Sequence, residues 1–233
     1  MDVRNTIAKR AAALLRDGDL VNLGIGIPTL CTSYLPPDVR VMLHSENGII
    51  GMAAVPQGQE PDKYTVDAGS SPAAVLPGGA CFDIGLSFAI MRGGHLDRSI
   101  VGALQADVTG SFASWEIPGK RTYGMGGAMD LAVGAKELIV AMEHRTRGGA
   151  PRILEKCTFP LTGRECVKYI VTELCTFKCE AGRLYLTELA DGVSTGDVLN
   201  ATAAPVSLDM LGEISRAGNE SSTYVDLQKR VGR

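Results

Sequence analysis

The sequence predicts an α/β protein: an open, mainly parallel sheet with helices on both faces and a β-hairpin towards its C-terminus. Two observations predict it. The N-terminal region runs helix, short apolar segment, glycine loop, helix, apolar segment, which is the order of parallel α/β units. From 174 to 189 the pattern turns period-two on either side of Glu180-Ala181-Gly182-Arg183, which is the mark of a hairpin.

Val3, Ile7, Ala11, Leu14 and Leu15 step at helical intervals, and Asp17-Gly18-Asp19 stops that helix. Leu20 to Leu23 then reads as a buried strand. Gly24-Ile25-Gly26-Ile27-Pro28-Thr29 is a glycine loop, with Pro28 placed to open a helix through Tyr34. Residues 39–43 form the next apolar strand, and Ser45-Glu46-Asn47-Gly48 the sharp turn leaving its end. The stretch 55–69, rich in Pro, Gly and Asp, reads as a loop over the site.

Residues 81–91 have a helical pattern, 99–104 a strand, 115–123 a loop, 126–135 a helix and 137–142 a strand. After the hairpin, 194–201 is a short final helix capped by Ser194 or Thr195. A single domain is expected over 1–204. Residues 205–233 form a polar, aperiodic extension, weakest at Gly218-Asn219-Glu220-Ser221-Ser222, that stays partly unfolded or packs on a partner.

A chain of 233 residues, 45% apolar and 21% charged, can bury a substantial core. A formal charge of −3 gives no electrostatic reason to expect nucleic acid. No apolar run reaches the ~20 residues that span a bilayer, and the N-terminus lacks a signal-peptide core, so a cytoplasmic location without membrane attachment is expected. The six cysteines form no C-x-x-C pair. Cys175 and Cys179 share a strand face, where a metal or disulfide is conceivable but burial as small apolar side chains is the ordinary outcome.

Several chemistries find no support. Gly24-Ile25-Gly26 is followed by Thr29 where a dinucleotide fingerprint needs its third glycine, and Gly119-Lys120 lacks the rest of a P-loop. No G-x-S-x-G occurs, and His44, His95 and His144 follow no metal-ligand spacing. Only His44 adjoins Glu46, and its side chain either joins the site or points away.

Glu46 is the candidate that carries chemistry. A carboxylate at the end of a buried strand lies where open α/β sheets bind ligands, and partial desolvation suits it to act as base, acid or nucleophile. The same four residues also make an ordinary solvated turn. Gly124-Met125-Gly126-Gly127-Ala128-Met129-Asp130-Leu131 offers two readings as well: backbone N–H groups at a helix start that receive developing negative charge, or close packing of helix on sheet.

The run Met42-Leu43-His44-Ser45-Glu46-Asn47-Gly48-Ile49-Ile50-Gly51-Met52 resembles the glutamate signature of the small, or beta, subunit of family I CoA-transferases of the acetate/acetoacetate (3-oxoacid) type. Met91-Arg92-Gly93-Gly94-His95-Leu96-Asp97, Ala141-Met142-Glu143-His144 and Cys157-Thr158-Phe159-Pro160-Leu161-Thr162-Gly163 also match, so the likeness covers roughly 2–204.

The resemblance implies a CoA-transferase-like fold and a ping-pong transfer of CoA from an acyl-CoA to a short carboxylic acid. Acetate, butyrate, acetoacetate or a related 3-oxoacid would be the acid. It implies that Glu46 is the nucleophile and forms a glutamyl-CoA thioester, that Gly127 lines the acyl pocket, and that Asn22 contacts the acyl group or thioester. It implies no cofactor and no metal, CoA itself being a substrate. It implies an alpha-subunit partner in a hetero-oligomer such as α2β2. A 3-oxoadipate transferase, an acyl-CoA hydrolase or isomerase using Glu46 as base, and a non-catalytic subunit are the alternatives.

Overall fold

Alternating burial along single strands builds this molecule. The computed structural model describes residues 2–212. In chain order the elements are α1 (Val3–Ala12), β1 (Leu20–Leu23), a 3-10 helix (Pro28–Tyr34), β2 (Met42–Ser45), β3 (Ile49–Ala53), β4 (Ala74–Cys81), α2 (Ile84–Arg92), β5 (Arg98–Val101), β6 (Gln105–Asp107), β7 (Phe112–Ala113), β8 (Glu116–Ile117) and β9 (Arg121–Thr122). There follow α3 (Ala128–Gly134), β10 (Glu137–Ala141), β11 (Ile153–Leu154), β12 (Val167–Val171), β13 (Cys175–Glu180), β14 (Arg183–Leu189), α4 (Thr195–Ala201) and β15 (Val206–Ser207).

Ten strands make the main sheet, in the order β15-β14-β13-β12-β10-β5-β1-β2-β3-β4. Its centre, from β12 through β10, β5 and β1 to β2, is parallel throughout. Both flanks are antiparallel hairpins, β2-β3-β4 on one side and β12-β13-β14 on the other.

Parallel central strands are buried on both faces and so carry unbroken apolar runs. In β10, Leu138 and Val140 join one buried cluster while Ile139 and Ala141 join another. The first cluster holds Met91 of α2, Leu131 and Ala132 of α3 and Val198 of α4. The second holds Ile7, Ala8, Ala11 and Ala12 of α1, with Cys31 of the 3-10 helix. Helices thus cover both faces, as the sequence predicts. The hairpin also forms as predicted, with Ala181 and Gly182 both at positive φ in its two-residue turn. Ser194 caps α4 through a reciprocal box with Asp197.

Five expectations need correction. The strand predicted over 39–43 begins only at Met42, because Arg40 spends both backbone groups on Asp17 and Gly18 rather than on a ladder. The turn after it leads into β3 and β4, two antiparallel strands for which the sequence predicts no element. Pro77, Gly78 and Gly79 disguise β4, and an edge strand is where such residues are tolerated. The helix predicted over 81–91 starts at Ile84, with Asp83 as its cap accepting from Leu86 N–H. The loop 115–123 contains a small hairpin of β8 and β9. The sheet also continues beyond 204, since β15 pairs with β14; residues 213–233 lie outside the described part.

All six cysteines are free, and Cys175 and Cys179 lie buried in one apolar cluster. Burial pushes both thiols up to about 12, so they remain protonated packing groups. No helix among the described residues is long and apolar enough to cross a membrane.

At the N-terminal ends of the central strands one buried cation ties three strands together. Arg98 of β5 is 4% exposed and pairs with Asp19, just before β1, and with Glu137 of β10 at 2.8 Å. Removing the cation would leave two carboxylates facing each other with no counter-charge. Arg98→Met is therefore expected to cost about 3–5 kcal/mol in urea unfolding. A loss under about 1 kcal/mol would show the pair to be screened like a surface bridge.

Candidate active site

The chain passes from β1 to its neighbour β2 on one side, then returns to β5 on the other. Crevices form at such reversals beyond the carboxyl ends of the strands. A cleft of about 780 Å³ opens there, lined by Gly24 after β1, Glu46 after β2, Gly102 after β5 and Gly127 before α3.

Glu46 opens the turn between β2 and β3. Gly48 completes that turn at φ +117°, and a Cβ there would fall on the Phe82 carbonyl oxygen, so only glycine fits. Hydrogen bonds fix the turn from both sides. Phe82 N–H donates to the Gly48 carbonyl at 2.9 Å, Asn47 Nδ2 to the Val66 carbonyl at 2.8 Å, and Ala68 N–H to Ser45 Oγ at 3.0 Å. The loop expected over 55–69 therefore forms a wall of the cleft, contributing Asp67, Ala68 and Gly69.

Gly127 is the residue preceding α3, and its backbone N–H favours the charged form of the Glu46 carboxylate beside it. A Cβ on Gly127 would overlap Glu46 Oε2. Of the two readings of this glycine, the close approach is to the carboxylate itself. Burial pushes the Glu46 carboxyl above the ordinary range; the Gly127 hydrogen bond draws it back, and the negative charge of Asp130 adds to the rise. Asp130 in turn is held by Arg92 Nε at 2.6 Å.

Asn22 lines the same cleft from β1 and is 3% exposed. Its Nδ2 lies 3.1 Å from His44 Nδ1 and donates to the His44 carbonyl at 3.3 Å. The His44 ring points into the protein, where Nε2 meets Ser87 Oγ of α2 at 2.9 Å. Burial lowers its pKa to about 4, so the ring is neutral at physiological pH.

The structure thus brings Glu46 and Gly127 into contact and sets Asn22 in the same crevice. Sequence reasoning missed Asp130 and Ser87. Asp130 stood three residues after Gly127 in the quoted motif, one helical turn away. Nothing in a single sequence marks Ser87, whose role depends on how α2 crosses β2. Arg121 packs over the Tyr123 ring at 4.6 Å, and neither it, Lys120 nor Arg92 lines the cleft.

A partly buried strand-end carboxylate set against a helix-start glycine is what the cleft presents. The described family Coenzyme A transferase matches residues 4–201, and the chain belongs to it. It is 48% identical to acetate CoA-transferase subunit beta of Escherichia coli K12 over 88% of this chain and 93% of that one. It is 46% identical to the rat mitochondrial succinyl-CoA:3-ketoacid coenzyme A transferase 2A over 85% of this chain but only 39% of the longer enzyme. Among solved structures, the acyl-CoA transferase YdiF of Escherichia coli O157:H7 shares the fold, with a TM-score of 0.69 at 20% identity. That match covers 90% of this chain and 42% of YdiF, so the chain spans less than half of that protein. YdiF has also been solved as a thioester complex with CoA, at a TM-score of 0.63 and 20% identity over 91% of this chain and 43% of YdiF.

Gly127→Ala tests the close approach. The added methyl must displace the Glu46 carboxylate, and a shift of about 1 Å at a reacting group can cost ~100-fold in rate. CoA-transfer turnover is expected to fall by about that factor while the melting temperature stays within a few degrees. Parallel loss of both would favour the packing explanation.

Proposed function

We propose that this chain transfers CoA between an acyl-CoA and a short-chain carboxylic acid through a glutamyl-CoA thioester on Glu46. The observation that carries the reading is the close contact of the Gly127 backbone with a partly buried Glu46 carboxylate in the cleft, too tight to admit a Cβ.

An ionised carboxylate needs no general base. Glu46 attacks the acyl-CoA carbonyl, the C–S bond breaks, and an acyl-glutamyl anhydride and CoA thiolate result. The thiolate attacks the glutamyl carbonyl and releases the first acid as its carboxylate, leaving the glutamyl-CoA thioester. A second carboxylate attacks that thioester and expels the thiolate. The thiolate then takes the new acyl group and frees Glu46.

The Gly127 N–H is suited to both states of Glu46. It holds a carboxylate oxygen at rest, and that oxygen becomes the glutamyl carbonyl when its partner is acylated. Each attack on the glutamyl carbon puts negative charge on the same oxygen. One such donor contributes about 3–4 kcal/mol, and alignment of the reactants roughly 7–11 kcal/mol. The raised affinity of Glu46 for protons also makes its ionised form a better nucleophile. The thioester complex described for YdiF supports the covalent route by analogy of fold.

The lining favours an uncharged acyl group. Leu43, Met52, Val101, Leu104 and Met125 supply apolar surface, and no Lys or Arg is among the described lining residues. A second carboxylate, as in 3-oxoadipate, would meet Glu46 and Asp67 without a counter-ion from this chain. Acetate, butyrate, acetoacetate and related 3-oxoacids fit better.

A partner completes the site in this reading. Ile25, Tyr123 and Met125 line the cleft yet are 73%, 52% and 48% exposed, an apolar rim that a second chain could cover. The bacterial relative's naming as a beta subunit supports an alpha partner in a hetero-oligomer such as α2β2. Covering the cleft would also protect the anhydride from water. The expected location is the cytoplasm, with no cofactor besides the CoA substrate.

Acyl-CoA followed by borohydride should convert Glu46 of the active complex to its alcohol, read by peptide mass spectrometry. A label on another residue would sink the assignment. Glu46→Gln is expected to abolish turnover, since an amide cannot form the anhydride. Its effect on stability has a definite sign. The folded carboxyl has a raised pKa, so holding it ionised destabilises the fold at neutral pH, and that cost vanishes as pH falls through the raised value. Glu46→Gln should therefore melt at or above wild type at pH 7, with the gap closing on acidification. A gap that widens at low pH would contradict the assignment of the desolvated charge.

A further inference from the structure

We propose that Ser87 and His44 are positioning residues for this transfer: a buried hydrogen-bonded chain from α2 through β2 to β1 fixes the Asn22 amide at the floor of the cleft. The inference rests on the CoA-transfer reading of the cleft and goes beyond it.

Each link of the chain is short, and each member is hidden from water. Ser87 Oγ to His44 Nε2 is 2.9 Å and His44 Nδ1 to Asn22 Nδ2 is 3.1 Å. The three residues are 0%, 1% and 3% exposed. Buried polar groups of this kind cost stability unless paired, so each holds its neighbour in place.

The direction of the bonds follows from the atoms. An amide nitrogen can only donate, so His44 Nδ1 accepts from Asn22. The ring proton then sits on Nε2 and donates to Ser87 Oγ. Flipping the Asn22 amide would set its oxygen against the His44 carbonyl, which now accepts from Nδ2 at 3.3 Å. The flip would also demand the other imidazole tautomer. A neutral ring is required throughout, in keeping with a pKa lowered by burial to about 4.

The geometry separates this role from direct chemistry. Glu46 and His44 both border the cleft, but both ring nitrogens of His44 are spent on Asn22 and Ser87, whereas the Glu46 carboxylate faces the cleft. Register adds a control. Ser99 of β5 stands opposite Asn22 in the β1–β5 ladder, and its buried hydroxyl has no partner. Removing that hydroxyl deletes a buried polar group without cutting the chain.

The test uses the full chain in its active complex. Ser87→Ala should lower kcat about tenfold, the equivalent of one hydrogen bond to a positioned group, with the KM for acyl-CoA near wild type. In an Asn22→Ala background the same change should add almost nothing, because Ser87 acts through Asn22. His44→Asn, which keeps an acceptor near the Nδ1 position, should retain more turnover than His44→Leu. Ser99→Ala should match wild type in kcat and melt no lower.

Multiplying losses in the double variant, or an equal kcat loss in Ser99→Ala, would overturn the proposal. A reading independent of turnover comes from nitrogen NMR of the three histidines, with His44 assigned by its absence in His44→Asn. The neutral Nε2–H tautomer is expected near neutral pH, and an Nδ1–H or doubly protonated ring would overturn the chain. A wild-type complex inactive with every acid would defeat the transfer reading instead, while the tautomer still decides the chain.

Discussion

In the reading proposed above Glu46 attacks a thioester, and such a carboxylate has to be ionised, partly stripped of water and held still, demands that conflict. The Gly127–Glu46 contact meets all three. Burial alone would push Glu46 towards its neutral, unreactive form, and the nearby Asp130 pushes the same way. The Gly127 N–H opposes both by favouring the anion. Because the contact leaves no room for a Cβ, it fixes a glycine before α3, while the Phe82 carbonyl independently fixes Gly48 in the turn after β2. Arg92 then serves a structural need, neutralising Asp130 so that the second carboxylate does not stand uncompensated beside the first.

The molecule separates this tension from its sources of stability. The buried Arg98 pair lies at the N-terminal ends of β1, β5 and β10, while the cleft opens at the carboxyl ends. Between them lie two apolar clusters, one on each face of the sheet. Interiors packed at this density are stiff, so the strand ends serve as rigid mounts for Gly24, Glu46 and Gly102. The mounting is completed by loops that hydrogen-bond to the turn rather than by further burial of it.

Much of this was legible in the sequence because it is local or periodic. The apolar run of β10, the glycine after Ala181 and the Ser194 box each carry their own cause within a few residues. β3 and β4 were not legible, since Pro77, Gly78 and Gly79 are tolerated only through an edge position that the sequence does not reveal. At the site, Glu46 and Gly127 stood out through their motifs, yet their contact spans 81 positions along the chain and no periodicity encodes it. The Ser87–His44–Asn22 chain was less legible still. His44 drew notice for adjoining Glu46, whereas its hydrogen bonds lead away from that residue.

The same geometry explains why a shared fold leaves the chemistry open. The sheet and its crevice set where a reactive group can stand, while the reaction depends on which side chain occupies the β2–β3 turn and how its charge is balanced. In this chain the balance is local: one N–H against the anion's desolvation, one cation against the neighbouring acid. The apolar rim at Ile25, Tyr123 and Met125 is the part left unbalanced. In the proposed reading, a surface that resists water but is not covered by the described residues makes partner contact and water exclusion one requirement. Under the proposed mechanism, which must keep a covalent acyl intermediate dry, a subunit boundary at the mouth of the cleft would serve both needs.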